Sequence, residues 1–397
     1  MLITRLIGDC PACRGQKTFG NVSVRNNFIL RGCKACPFMA EYPLPPIRKK
    51  VLYLDQFFFS TTFLERDPRF QKAADRISRI SSDQLLTVPY SSVHEDETHQ
   101  WQGYAGKDRE DLMNFIKSVS RGQEFKPTYE VEKNQILRSL ESFLASRSPH
   151  FIVEEDDAIE GDLHQWEDYI RIDVGGYNGN IELIRDLKRQ VVRELLEAFD
   201  AWRKSTNTFE EQISTEVLAI ANGLITSYVE YRNRILDGDY NAIFNAPLHS
   251  TFLESMLEEI PHGSPPDKFS IAREYLSSSH FQEVPHVWIA ARIFACLQEM
   301  VRGGAYANGK EAESKLTGLG QDIQHISTYA PYCDAFFMDK AMAHIVTDKR
   351  INLEAKYGVK VFSAKSLDRF NEWIDGIEAG ITESHRAALS NLYPPIR

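Results

Sequence analysis

The segment "APYCDAFFMDK", residues 330–340, decides how the chain folds. Ala335, Phe336, Phe337 and Met338 form an apolar run of strand length, the pattern of a buried strand. Yet Asp334 stands at its entrance and Asp339 at its exit, and Asp322 and His325 precede it in "QDIQHIST". Carboxylates are rarely buried without a partner. Several ionisable groups beside a core strand therefore call for compensation from elsewhere.

The surrounding sequence repeats an alternation. "DIQHISTYA" (322–330) predicts a short helix, "AMAHIVTDKRINLEAKYG" (341–358) a helix, "VKVFSA" (359–364) a strand and "SLDRFNEWIDGIEAG" (366–380) a last helix. Near the other end, "KKVLYLDQFFFS" (49–60) contains Val51 to Leu54, a continuous apolar run suited to a strand covered on both faces. Strands alternating with helices argue for a parallel sheet. In open α/β sheets ligands bind at the carboxyl ends of the strands. Asp55, which ends the Val51–Leu54 run, is thus a candidate site residue, with a helix cap as the alternative use. "QLLTVPYSSVHEDETH" (84–99) predicts a second strand through Leu85, Leu86, Val88 and Tyr90, then a helix from Ser91 or Ser92. That helix carries His94 and Glu97 on one face, with Glu95 as the rival acid.

Residues 105–302 predict a mainly helical insertion. Ile184, Leu187, Val191, Leu195, Phe199 and Trp202 keep helical spacing, as do Phe209, Ile213, Val217, Ile220, Leu224, Tyr228 and Tyr231. Thr208 and Glu211 form a capping-box pattern before the second stripe. "PHVWIAARIFACLQEMV" (285–301) is apolar enough for a more buried helix, and "VEEDDAIEGD" (153–162) reads as a loop. These stripes are core packing and carry no chemistry.

At 397 residues, 43% hydrophobic and 26% charged, the chain has a globular composition and length for two or three domains. It contains no apolar run of about 18 residues, so no membrane span is expected. "MLITRLIGDC" lacks the apolar core and cleavage site of a signal peptide, so the expectation is a cytoplasmic protein. The net charge of −10 is uneven. Residues 1–50 hold nine Lys/Arg against two acids, a balance of +7, while the rest hold 37 against 54, a balance of −17. A basic head on an acidic body can meet a polyanion; the body cannot bind nucleic acid by bulk charge.

The head has a second signature. Cys10, Cys13, Cys33 and Cys36 form two C-x2-C pairs nineteen residues apart, in "GDCPACRGQ" and "LRGCKACPF". This is four-thiolate zinc spacing, and Val22, Val24 and Phe28 to Leu30 between the pairs allow a short hairpin. The arrangement resembles a zinc ribbon, here residues 1–41, in which the metal is structural and supplies much of the folding energy. It can brace a neighbour or a partner, or grip nucleic acid. Pro-rich residues 42–50 read as a linker, leaving 51–397 as one further domain. Cys296 and Cys333 sit in apolar contexts as core thiols.

Asp55, Glu97, Asp322 and Asp339 are distant in sequence, but each lies where a strand ends or where a helix follows one. A parallel sheet brings such positions together. Converging carboxylates repel unless a cation stands between them, and all-oxygen ligation suits Mg2+ or Mn2+. Ions of that kind catalyse phosphodiester hydrolysis. "VLYLDQ", "VPYSSVHEDET", "GLGQDIQHISTYAPYCDAFFMDK" and "VKVFSAKSLDRFNEWI", in that order, resemble the PIN-like nuclease domains of bacteria over about residues 50–100 and 315–385. The resemblance implies a Rossmann-like parallel sheet and metal-dependent hydrolysis, usually of RNA. It gives Asp55, Glu97, Asp322 and Asp339 the four acidic roles in order. Asp334 becomes an additional or substitute ligand, and Asp348 a rival for the fourth place. The insertion of roughly two hundred residues and the zinc ribbon both depart from a compact PIN domain.

His325, one turn from Asp322, reads as a satisfied structural histidine that could orient a carboxylate. Gln56 and Phe57 follow Asp55, so the second Asp of a haloacid-dehalogenase-type phosphatase is missing, and no GxxxxGK[ST] loop supports NTP hydrolysis. The expectation is a Mg2+- or Mn2+-dependent endoribonuclease, in the setting of a toxin or phage-defence effector, with RNA favoured over DNA. A protein partner could dock on the ribbon or the insertion. The alternative is a non-catalytic zinc-ribbon module with a degenerate PIN-like domain that binds nucleic acid or protein.

Overall fold

The computed structural model describes residues 2–25, 27–166, 181–243, 248–307, 312–313 and 316–392. Two four-stranded sheets organise them. The first is antiparallel: β1 (Arg5–Gly8), β2 (Phe19–Arg25), β3 (Phe28–Cys33) and β4 (Met39–Pro43), in chain order. The expected hairpin between the cysteine pairs is β2–β3. A side chain at Gly20 would overlap the Arg5 carbonyl oxygen, so β1 reaches β2 only because this residue has none. β4 runs to Pro43, two residues into the stretch read as a linker.

The four cysteine thiols close this module. Cys10 Sγ lies 3.7 Å from Cys36 Sγ, and Cys13 Sγ lies 3.7 Å from Cys33 Sγ, with all four unbridged. A tetrahedron with Zn–S bonds of 2.3 Å has edges of about 3.8 Å. The donor set and its spacing thus fit a structural zinc; the Ala35 N–H donates to Cys33 Sγ at 3.2 Å, and Thr18 Oγ1 lies 3.2 Å from the same sulfur.

The ribbon is docked on the body. Ile29 and Leu44 join Trp166, Ala388 and Leu392 in a small shared core. Buried Asn21 donates through Nδ2 to the Leu392 carbonyl at 3.0 Å, and buried Arg31 to that of Asn391. Trp166 Nε1 donates to Pro45 at 2.7 Å. Arg48 pairs with Glu155 at 2.5 Å and Lys50 with Asp334 at 2.6 Å. Part of the head's positive charge is therefore answered by the acidic body.

The second sheet is parallel and holds β5 (Lys50–Leu54), β6 (Leu86–Thr87), β7 (Ala335–Phe337) and β8 (Lys360–Phe362), in the order β6-β5-β7-β8. β6 is shorter than expected, because Pro89 has no N–H to continue the ladder. Tyr90 makes only an isolated bridge, to Glu124. The sheet is covered on both faces. Val51, Tyr53 and Phe336 point into one core, and Leu52, Leu54, Ala335, Phe337 and Phe362 into the other, as strand alternation requires. Tyr53 and Phe336 stack with ring centres 4.2 Å apart.

The insertion does not sit to one side. Its helix Arg109–Ser120 joins helices Gln56–Phe63, Pro68–Ser82 and Leu367–Ala379 over the second of these faces. Ile181–Lys204, Pro285–Arg302 and Leu319–Tyr329 cover the first. Thr128–Leu144, Phe209–Leu236, Leu248–Glu259 and Pro265–Leu276 build a third core against Pro285–Arg302. Val192 and Phe199 are buried while Val191 is 46% exposed, so the stripe is turned by one residue there; the side chains of Ile184 and Leu187 lie outside the described residues. Thr208 and Glu211 form the expected capping box. Cys296 and Cys333 are buried thiols. The helix expected over 341–358 is two helices, Lys340–Val346 and Leu353–Tyr357. Asp348 accepts from the Arg350 N–H at 2.9 Å, and such local bonding ends helices. Among the described residues no helix is long and apolar enough to cross a membrane.

The docking residues Asn21, Ile29 and Arg31 lie on strands that the four-cysteine cluster closes, so loss of a metal from that cluster is expected to propagate to the dock. Cys33→Ser is expected to abolish zinc uptake, whose apparent free energy in such modules is about 10 kcal/mol or more. Hydrogen exchange should then speed up in both residues 2–43 and the Glu383–Leu392 helix, while β5 and β7 stay protected. Unchanged exchange in that helix would mean that the ribbon does not brace it.

Candidate functional site

The strand order β6-β5-β7-β8 reverses direction of progression between β5 and β7. Ligand crevices of open α/β sheets form at such a switch, beyond the carboxyl ends of the strands. Asp55 follows the last residue of β5, and Asp339 lies two residues past the end of β7. The Asp55 N–H donates to the Phe337 carbonyl at 2.9 Å, which ties the two strand ends together. Asp55, Asp322 and Asp339 line one small cavity there, with Tyr53, His325 and Met338 among its other walls. Its volume is about 10 Å³, close to the least that holds one water.

Asp55 occupies the N-cap position of helix Gln56–Phe63 but makes no side-chain capping bond. The capping alternative therefore does not account for it. Asp339 does cap, accepting from the Ala341 and Met342 N–H groups at 2.6 and 3.3 Å. Asp322 is carried by helix Leu319–Tyr329, whose first turn packs closely on Ile181–Lys204. A Cβ on Gly320 would lie 3.1 Å from Val191 Cγ1, so a larger residue would require the Val191 side chain to give by a few tenths of an ångström.

Glu97 reaches the site through His94. Buried His94 accepts the Ser91 N–H at Nδ1 and donates from Nε2 to the Leu54 carbonyl, both at 2.9 Å. This pins helix Ser92–Gln100 to the end of β5, one residue from Asp55. Burial pushes the imidazole down to about 4, so it is neutral and its two nitrogens keep these roles. Glu97, and not Glu95, is the acid of this helix whose charge raises both Asp55 and Asp322.

The electrostatics are those of crowded, half-buried acids. Burial raises Asp55 to about 7, with Glu97 and Asp339 adding to the effect and the N–H groups of Gln56 and Asp339 opposing it. Burial, then Asp55, Glu97 and Asp339, raise Asp322 to about 8. Burial also raises Glu97, and Lys188 opposes it. Lys188, from the insertion helix Ile181–Lys204, lies 3.7 Å from Glu97 and is mostly buried. Sequence reasoning missed it, although a lysine one turn from Ile184 and Val191 on an apolar stripe was a readable signal.

Three further expectations are corrected. Asp334 lies at the amino end of β7, opposite the cavity, where it accepts from Lys50 Nζ at 2.6 Å and the Val51 N–H at 2.8 Å. It is no ligand of this site; its charge is balanced by Lys50. Asp348 is held down to about 2 by Arg350, and Asp339, not Asp348, lines the cavity. His325 is not a satisfied histidine either. Its Nδ1 is 3.5 Å from the Tyr53 hydroxyl, and its buried Nε2 has no partner. Gln56 Oε1 and Gln321 Oε1, next to Asp55 and Asp322 in the chain, are also unpartnered. Orphaned polar atoms are rare in folded proteins, and here three accompany the acids.

The acids do not form a closed cage. Among the described residues, only the four cysteines bring three or more ligand atoms within 4.8 Å of one another. Asp55, Asp322 and Asp339 instead line a common cavity at longer range, as mutual repulsion favours, and Glu97 stands outside that lining while its charge acts on Asp55 and Asp322.

A carboxyl whose folded pKa is raised from 3.8 to about 8 binds more protons folded than unfolded, so its contribution to stability is lost as pH rises through that window. Asp322→Asn is therefore expected to stabilise the metal-free site. The gain over the native protein should grow from about pH 4 to pH 8 and reach on the order of 1–2 kcal/mol. Lys188→Met should do the reverse. Thermal melts across that range check both, and a less stable Asp322→Asn at pH 8 would assign this carboxylate a structural role. Comparison with models of known protein families, with curated proteins and with solved structures gives no match, so the assignment of these side chains rests on their own geometry and chemistry.

Proposed function

We propose that the sheet domain is a PIN-like, Mg2+- or Mn2+-dependent nuclease, an endoribonuclease in preference to a DNase. One observation carries this reading: three acids from β5, the Leu319–Tyr329 helix and the end of β7 line a single cavity at the sheet's switch point. The donors are all carboxylate oxygens, which suit a hard divalent cation. Asp55, Asp322 and Asp339 would hold it, with Glu97 completing the set. Such an ion, when bound, supplies charge neutralisation at a phosphodiester and activation of water.

The chain's own residues prepare the place. His94 fixes the helix that presents Glu97. Asp339 presents its carboxylate from a capped helix start. The aromatic wall of Tyr53 and Phe336 restricts water beneath the acids. Asp322 retains its proton near neutral pH in the metal-free protein, so ion uptake releases it.

A second reading has one observation in its favour. Lys188 already supplies a positive charge to Glu97, as a degenerate, non-catalytic domain would use in place of an ion. The zinc ribbon would then serve a binding module for nucleic acid or protein.

The two readings separate on incubation with tRNA, mRNA and single- and double-stranded DNA, with and without Mn2+. Asp55→Asn and Asp339→Asn are expected to reduce Mn2+-dependent RNA cleavage at least about a hundredfold. Both should remain folded: Asp55 makes no side-chain capping bond to lose, and at position 339 Asn caps a helix as well as Asp. Equal cleavage by both variants would remove these residues from the reaction, and zinc as the only bound metal would favour the second reading.

A further inference from the structure

Beside the acid cavity, and sharing Asp339 with it, lies a larger hollow of about 730 Å³. Helix Lys340–Val346 forms one side; the turn after β8 and the first turn of helix Leu367–Ala379 form the other. Lys340, His344, Lys365 and Arg369 line it and are exposed. Several basic side chains elsewhere on the body pair with acids: Arg76 and Arg79 with Glu378, Arg350 with Asp348, and Lys356 with Glu283. Among the described residues, Lys340, Lys365 and Arg369 have no such partner. The one acid of the lining, Asp339, already accepts from the N–H groups at its own helix start.

In a chain of net charge −10, three unpaired cations around one concavity are a local reversal of sign. A cleft lined by one sign of charge focuses ligands of the other. Phosphates of a nucleic-acid backbone are held by such Lys and Arg side chains without regard to base. The volume is that of an ordinary ligand cleft. It accommodates a few nucleotides of one strand, whereas readers of duplex RNA lay contacts over a face many base pairs long.

We propose that this groove binds the sugar-phosphate backbone of single-stranded RNA and leads it past Asp339 to the acid cavity. The destination rests on the nuclease reading; the binding chemistry does not. The groove also gives the body a basic surface of its own, separate from the basic head.

The test uses full-length, zinc-loaded protein carrying Asp55→Asn, so that the strand stays intact, and a fluorescein-labelled oligouridylate. Binding is followed by anisotropy over a series of NaCl concentrations. Adding Lys340→Ala, Lys365→Ala and Arg369→Ala together is expected to weaken binding at least about tenfold. The slope of log affinity against log salt should fall by about 2, since each phosphate contact on a single strand contributes about 0.7. These are surface positions, and circular dichroism checks that the fold persists. An affinity and slope untouched by the triple substitution, or no binding by the parent, would overturn the proposal. So would displacement of the oligonucleotide by an equal concentration of uridine monophosphate, which would mark a single-phosphate site. Cleavage is read separately with Asp55 intact. Binding that depends on the three cations while cleavage ignores the acids removes the nuclease reading and keeps the groove; the converse result removes the groove and keeps the nuclease.

Discussion

The structure depends on the pairing of β5 with β7. Leu52, Tyr53 and Leu54 lie in register with Ala335, Phe336 and Phe337, across a separation of 283 residues. This register places Asp55 and Asp339 at neighbouring strand ends and sends Asp334 to the far edge with Lys50. A one-residue slip would turn Tyr53 and Phe336 into the wrong core and separate the two acids. The intervening chain stabilises the pairing because its helices fall on both faces of the sheet. The insertion is thereby part of the sheet's own core.

The acids are the local penalty of that arrangement. Half-buried carboxylates in one crevice raise one another's proton affinity, and the chain compensates them unequally. Asp339 has its helix start and Glu97 has Lys188, while Asp334, at the other end of β7, has Lys50. Asp55 and Asp322 have least and are raised most clearly. Groups left in that condition, with an orphaned His325 Nε2 beside them, are characteristic of functional sites more than of structural ones.

Much of this was readable in the sequence, and the failures have physical causes. The β5 and β7 runs were visible because doubly covered strands are continuously apolar. The cysteine spacing announced the ribbon. Asp55 and Asp339 were legible because each lies just past a strand end, whereas Asp322 lies in the first turn of a helix that follows no strand and was singled out by the resemblance. Asp334 was misread because sequence does not tell which end of a strand faces the crevice, and its partner Lys50 lies 284 residues away. The unbroken helix over 341–358 failed because Asp348 captures its own backbone. The docking of the ribbon, through Asn21 and Arg31 onto the last helix, has no local signature at all. Lys188 was hidden by reading its stripe as packing alone.

The central claim is that Asp55, Glu97, Asp322 and Asp339 share a divalent ion at the β5–β7 switch point. Titration of Mn2+ into protein that retains its zinc, followed by the electron paramagnetic resonance of free Mn2+, tests it most directly. The account predicts saturable uptake that vanishes in Asp55→Asn and survives in Asp334→Asn, with zinc content unchanged in both. No uptake, or uptake indifferent to Asp55, would contradict it.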